Sequence, residues 1–419
     1  VSRVVQCGYE IAMKATGQDT NPPDGLFSTS AVGQATKDSA ISRSGSSSCK
    51  LDSTASNSGV WVSALTNFTT AANRIFYLQG YFYFDTLPAS TVQIMQLYSG
   101  AVPCVSVRLT AAGKIQLFDN GAGVQIGSDS VATLTTGIWY RIAIRATNSA
   151  SSLISSAEVR LDGVSVANGN LANPKLGPTI RIGWIDVPGA DKVMHLDDVV
   201  ANDSQGSVNN SWPDEEQVIL LCPNSDEQIG SWLGGAGGTT SLAAAVSNIP
   251  PAGVASASKT NTSQIKCGDT TADNPTDEYR GVCRSYSMNG ISALDTITAI
   301  TTIASHGEDV ATGSPSGSFG AQANPIETYG VISQFGGNAG AVGAWPTNWR
   351  WKTNPPIEYP VVTVSDPLVL AIRKTDAGAA IGVCDFMGAY VAFMPSAITV
   401  GPPQLERKAS QRALTRRRM

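Results

Sequence analysis

Histidine is nearly missing from this chain: His195 and His306 are the only two, and they fall in different halves of the sequence. That separation argues against a two-histidine metal site and against a Ser-His-Asp set, and leaves His195 as a hydrogen-bonded strand histidine. Cysteine is sparse and unpatterned. Cys7, Cys49, Cys104, Cys222, Cys267, Cys283 and Cys384 are scattered, odd in number and contain no C-x-x-C, which excludes a zinc ribbon and a complete disulfide framework. Cys267 and Cys283, flanking one polar loop, are the two placed to meet, but buried free thiols are the expectation for the set. Charged residues make up only 15% of the chain. No apolar run reaches the roughly 18 residues a membrane helix needs, so no membrane partner is expected. The first thirty residues lack a basic start followed by an apolar core, so no secretory signal is expected.

What the chain has instead is 41 glycines, 22 prolines and abundant serine and threonine, a composition of short strands and many turns rather than helices. At 419 residues it is too long for one ordinary sandwich, and two domains follow. A hydrophobic content of 42% fills two cores and excludes global disorder.

The strand signal is strongest in 75–84, where Phe76, Leu78, Phe82 and Phe84 alternate with Tyr77, Gln79, Tyr81 and Tyr83; this period of two marks a half-buried strand. Val105, Val107 and Leu109 alternate likewise, and Gly113 turns the chain into Ile115 and Leu117. Tyr140, Ile142 and Ile144 alternate with Arg141 and Arg145, and Asp162-Gly163 joins two further strands as a hairpin dipeptide. No helix of usable length is expected in 1–200. The fold expected there is an antiparallel β-sandwich. Further on, 241–247 reads as one or two helical turns, 291–303 favours strand by its threonine content, and a second β-rich sandwich is expected. The division is 1–212 for the first sandwich, 213–403 for the second and 404–419 for a basic tail, with 193–213 as the seam.

Several pieces occur in one order: Cys7-Gly8-Tyr9-Glu10, Arg43-Ser44-Gly45-Ser46, Gly137-Ile138-Trp139-Tyr140-Arg141, Val159-Arg160-Leu161-Asp162-Gly163-Val164, His195-Leu196-Asp197-Asp198-Val199 and Asn202-Asp203-Ser204-Gln205-Gly206-Ser207. Together they resemble the laminin-G-like, concanavalin-A-like jelly rolls of virion proteins of tailed bacteriophages, over about 1–220. Segments 230–238 and 250–253 are similar to sequences that follow that domain in such proteins. The resemblance implies a non-enzymatic virion structural protein on the particle surface, either a minor tail, fibre or appendage component or a capsid decoration. Its partners would be other virion proteins and copies of itself, with a trimer plausible. A carbohydrate-binding module for a host surface glycan is the alternative. A glycoside hydrolase of the same fold ranks below both, since no E-x-D-x-x-E-like strand signature is present.

Three residue groups stand out as candidate sites. Asp197 and Asp198 are adjacent, so regular strand alternation puts them on opposite faces and removes them as a catalytic carboxylate pair, unless a bulge intervenes. The jelly-roll resemblance makes calcium the one cofactor to consider there; a structural role, satisfying loop N–H groups or pairing with Arg141 or Arg145, is preferred. Tyr77, Tyr81 and Tyr83 share a strand face, and Trp345, Trp349 and Trp351 share a segment; aromatic faces of this kind stack on sugars or pack at an interface, and packing is preferred. The tail carries Arg407, Lys408, Arg412, Arg416, Arg417 and Arg418 against Glu406 alone. With no aromatics interleaved for base stacking, nucleic acid is not the expected partner, and docking on an acidic neighbouring subunit is.

Overall fold

Four antiparallel sheets account for almost all the secondary structure in the computed structural model. The structure describes residues 3–9, 28–29, 35–53, 60–65, 72–99, 102–177, 179–186, 188–189, 191–206, 208–228, 232–234, 242–246, 265–267, 278–283, 291–292, 295–308, 317–323, 326–332, 350–353, 357–358, 368–374 and 382–396.

The first sheet runs Val164–Lys175, Ile154–Leu161, Trp139–Asn148, Ile75–Phe84, Val193–Asp203, Ser48–Asp52 and Ala35–Asp38, with Arg3–Cys7 also on Val193–Asp203. The second runs Val124–Ile126, Ile115–Asp119, Val102–Leu109, Val92–Ser99, Thr179–Trp184, Val60–Leu65 and Ser28–Thr29. Their inner faces share one core. Phe76, Leu78, Phe82 and Phe84 come from one sheet and Val105, Val107, Leu109, Ile180 and Ile182 from the other, all with no exposed surface. The alternation that predicted Ile75–Phe84 is therefore the alternation that closes a sandwich.

Turn chemistry agrees with the sequence. Asp162 and Gly163 have φ of 50° and 84°, the doubly left-handed pair of a type I′ hairpin. Gly113 has φ of 74°, and a Cβ there would lie 2.4 Å from the Leu134 carbonyl oxygen, so only glycine fits that turn.

A third sheet runs Trp232–Gly234, Ile265–Cys267, Gly382–Met394, Thr296–Glu308 and Arg350–Thr353, with Gln217–Leu221 on Gly382–Met394 and Ile357–Glu358 on Thr296–Glu308. A fourth runs Pro223–Gln228, Glu278–Cys283, Val369–Lys374, Gly317–Ala323 and Ile326–Ile332. Among the described residues the one helix is the short Leu242–Val246, inside the stretch expected to make a helical turn or two. Thr296–Glu308 is a strand, as its threonines suggested. The fold is a pair of tandem β-sandwiches. Cys7, Cys49, Cys104, Cys222 and Cys283 are free thiols. Cys283 is thus not bridged to Cys267. Its own strand instead pairs with the one that begins beside Cys222 at Pro223, and burial pushes the Cys283 thiol well above its usual range.

Candidate functional site

The two outer faces of the first sandwich differ in kind. On the first sheet, Tyr77, Gln79 and Tyr81, which alternate outward from Ile75–Phe84, do not reach open surface. Gln79 donates to the Asp214 carbonyl at 2.8 Å, and Tyr77 meets Trp212 edge-on at 5.3 Å. Tyr81 lies under the Arg43 guanidinium, 3.4 Å from the ring centroid, and burial pushes its phenol up to about 12 despite that cation. Tyr77 and Tyr81 are 7% and 6% exposed: Trp212 of the departing chain covers the first and Arg43 the second, which removes them as a sugar platform and gives them a packing role. Tyr83 is half-buried against Trp139, with centroids 5.5 Å apart, and meets the His195 ring edge-on. Trp345, Trp349 and the tail residues Arg407, Lys408, Arg412, Arg416, Arg417 and Arg418 lie outside the described residues, and of Trp351 only the strand backbone is described, paired with Ser305.

A bulge does intervene at the aspartates. Pairing of Val193–Asp203 with Ile75–Phe84 slips between Asp197 and Val200, and Asp198 takes a left-handed φ of 47°. Here the strand also changes neighbours, from Ser48–Asp52 through Leu196 to Arg3–Cys7 from Val199 onward. Both carboxylates consequently meet the Arg43-Ser44 turn. Asp197 accepts from the Arg43, Ser44 and Asp198 N–H groups at 2.8, 3.3 and 2.8 Å. Asp198 accepts from Ser44 Oγ at 2.5 Å, Val218 N–H at 2.6 Å and the Arg43 guanidinium at 2.5 Å. All four oxygens face N–H or O–H donors, one of them a cation. That donor set is the reverse of the oxygen shell calcium takes, so these residues do not fit the ion. Burial, reinforced by the Asp198 carboxylate, holds the Asp197 carboxyl well above the usual carboxylate range.

His195 is buried, with Nδ1 3.3 Å from Ser48 Oγ and Nε2 3.3 Å from Asp85 Oδ2. The trio has the composition of a nucleophile, a base and an orienting acid. Ser48, however, has no exposed surface, and its hydroxyl donates to the Ile41 carbonyl at 2.6 Å, so its proton is committed away from the ring and no substrate can reach it. His195 clamps neighbouring strands together. Burial lowers its pKa, against the opposing pull of Asp85.

The outer face of the second sheet is organised differently. Register places Ser63, Arg181, Gln96, Ser106, Phe118 and Gln125 in one row across six strands. The next row holds Gln93, Arg108 and Gln116; the slip between Gln93 and Met95 is what brings both Gln93 and Gln96 to this face. Arg181 lies over Tyr98, 3.8 Å from the centroid, with Trp61 at 5.1 Å, and Arg108 lies over Phe118 at 3.2 Å. Hydrogen bonds link Arg181 to Gln96, Gln96 to Gln93, and Arg108 to Asn120. Two carboxylates stand at the margins and are occupied by glutamines: Asp186 accepts from Gln93, and Asp129 from Gln116 and Gln125. Flat aromatic surface interleaved with amides and guanidiniums is the chemistry that recognises sugar hydroxyls and ring faces. The tyrosine and tryptophan clusters drew attention in the sequence, whereas this face reads there only as ordinary strand alternation. The available signal was the recurrence of Gln and Arg at the outward positions of five strands.

No protein-family model matches the chain, and no curated protein gives a significant match. Among solved structures it is similar to a cellulose-induced protein, Cip1, at 11% identity and a TM-score of 0.36, covering 50% of this chain and 99% of that one. It is similar to the receptor-binding domain of botulinum neurotoxin type G at 11% identity and a TM-score of 0.33, over 48% of each chain. The alginate lyase AlyC3 is similar at 8% identity and a TM-score of 0.30, over 38% of this chain and 75% of that one.

Proposed function

We propose that this chain is a non-enzymatic surface protein of a phage particle that presents a glycan-binding face. The observation that carries the binding part is the row of amides, guanidiniums and aromatic rings across the second sheet. Its placement supports display: the opposite face of the same sandwich is covered by the chain that leads into the second sandwich. The first sandwich thus offers one face outward and uses the other for anchorage. The virion part rests on the resemblance of the ordered motifs to phage jelly rolls; several of those motifs have structural roles here, such as Arg43-Ser44 on Asp197-Asp198 and the Asp162-Gly163 hairpin. The second sandwich and the basic tail supply the contacts to other virion proteins and to further copies.

The test is a glycan array probed with the full chain, followed by oxidative footprinting of any ligand found. We expect protection of Trp61, Tyr98 and Phe118 on the second sheet. Protection confined to Tyr83 and Trp139 would move the site to the other face, and no binding to any host polysaccharide would sink the adhesive role.

A further inference from the structure

Six arginines of the first sandwich have a carboxylate partner. Arg3 pairs with Glu216, Arg43 with Asp198, Arg74 with Asp203, Arg141 with Glu215, and Arg145 and Arg160 both with Glu158. Arg108 and Arg181 form no ion pair with any described residue, and both stand on the outer face of the second sheet. Their stacking on Phe118 and Tyr98 fixes the planar forks without neutralising them.

Some buried polar atoms without a hydrogen-bond partner also lie on this face. Arg108 Nε, Arg181 Nε, Asn120 Nδ2 and Ser106 Oγ are all buried without a hydrogen-bond partner, and Ser106 has no exposed surface at all. A buried donor left unpaired costs about 1–3 kcal/mol, a cost that a bound water or ligand group can remove. Register sets the scale. Arg181 stands opposite Gln96, which stands opposite Ser106, and Arg108 lies two residues beyond Ser106. With about 4.8 Å between strands and about 3.4 Å per residue, the two arginine Cα atoms lie roughly 12 Å apart. Amide and hydroxyl groups fill the interval.

Resting on the glycan-binding reading above, we infer that this face takes an acidic oligosaccharide, with ring carboxylates received by the Arg108 and Arg181 forks and ring hydroxyls by Gln116 and Gln125, amides of the face that are not buried. Carboxylate is the favoured anion because a stacked, planar guanidinium offers two parallel N–H groups to a planar partner. Neutral sugars would leave both cations as they are, half-buried and unpaired.

Calorimetric titration of the full chain with oligogalacturonate, oligoalginate, a neutral cello-oligosaccharide and a sulfated glycosaminoglycan oligomer tests the inference. The uronate chains are expected to bind best and to weaken as salt is raised. Arg108→Ala and Arg181→Ala should each lower uronate affinity at least tenfold with the fold retained, the lost ring contact and single hydrogen bond lowering the melting temperature only modestly because no ion pair is broken. Arg181→Lys should restore only part of the loss, since it returns the charge without the fork. Lys114→Ala, whose amine caps the Val131 carbonyl in a turn, should bind normally. Equal binding of the neutral chain, undiminished in both arginine variants, would overturn the acidic class while leaving a glycan site standing. Preference for the sulfated chain alone would overturn the carboxylate assignment. Binding of no saccharide would overturn this inference and the adhesive reading together.

Discussion

Asp197 and His195 sit two positions apart on one strand and pull the pH dependence of stability in opposite directions. The native His195 pKa is lowered, so its contribution is fully present above the unfolded value near ~6.5 and is lost as pH falls through the native one. The native Asp197 pKa is raised, so its contribution is fully present below the unfolded value near ~4 and is lost as pH rises through the native one. His195→Gln, which can still face Ser48 and Asp85 without titrating, should abolish the acid-side loss below pH ~6.5 and leave the opposite slope of Asp197 exposed. Urea midpoints across a pH series would show this; an unchanged acid limb in the variant would refute it. At this scale the sequence was partly legible. It showed a buried-strand histidine and two aspartates better suited to structure than to catalysis. It could not show which donors take those carboxylates, because the left-handed Asp198 depends on a change of neighbouring strand, and its partner Arg43 lies more than a hundred residues earlier.

Strands and turns were the most legible level, since period-two alternation and Gly-containing turns are local signals. Gly113 and Gly123 separate the two reasons for a turn glycine. Both have positive φ, 74° and 72°, but a Cβ at Gly113 meets the Leu134 carbonyl at 2.4 Å while nothing lies within 4 Å at Gly123. Gly123→Ala should cost only the left-handed backbone penalty, about 1 kcal/mol, and Gly113→Ala clearly more, about 3 kcal/mol. Equal losses in chemical denaturation would show that the Leu134 backbone yields freely. The faces of the strands were much less legible than the strands themselves. Tyr77 and Tyr81 share a strand face in the sequence, but the residues that cover them, Trp212 and Arg43, lie far from them along the chain. Arg108, Gln96 and Arg181 come from three strands and become one row only through register. A row across a sheet has no sequence period, so the recurrence of Gln and Arg at outward positions marks a polar face without showing which of them stand side by side.

The two sandwiches meet through a buried polar seam. Arg3 and Glu216, with 0% and 3% of their side chains exposed, pair at 2.7 Å. Thr298 donates to Glu216 at 2.9 Å, Asn209 to the Thr298 carbonyl at 2.9 Å, and Gln6 to the Tyr390 carbonyl at 2.7 Å. Val218, Tyr390 and Ala392 join the core cluster of the first sandwich. Glu216→Ala would strand a buried guanidinium at a cost of about 3–5 kcal/mol. Calorimetry should then show a single thermal transition of the native chain split into two, and one undivided transition would mean that the apolar contacts alone couple the bodies. The sequence reads 193–213 as a seam but could not show what holds it, since an ion pair between residues 3 and 216 leaves no local trace. Arg3–Cys7, the first strand described, and Gly382–Met394, the last, touch at this seam. A pull applied through those two strands would load the Arg3–Glu216 pair and its hydrogen bonds in shear, while the far sheet with its arginine row lies outside the line of force.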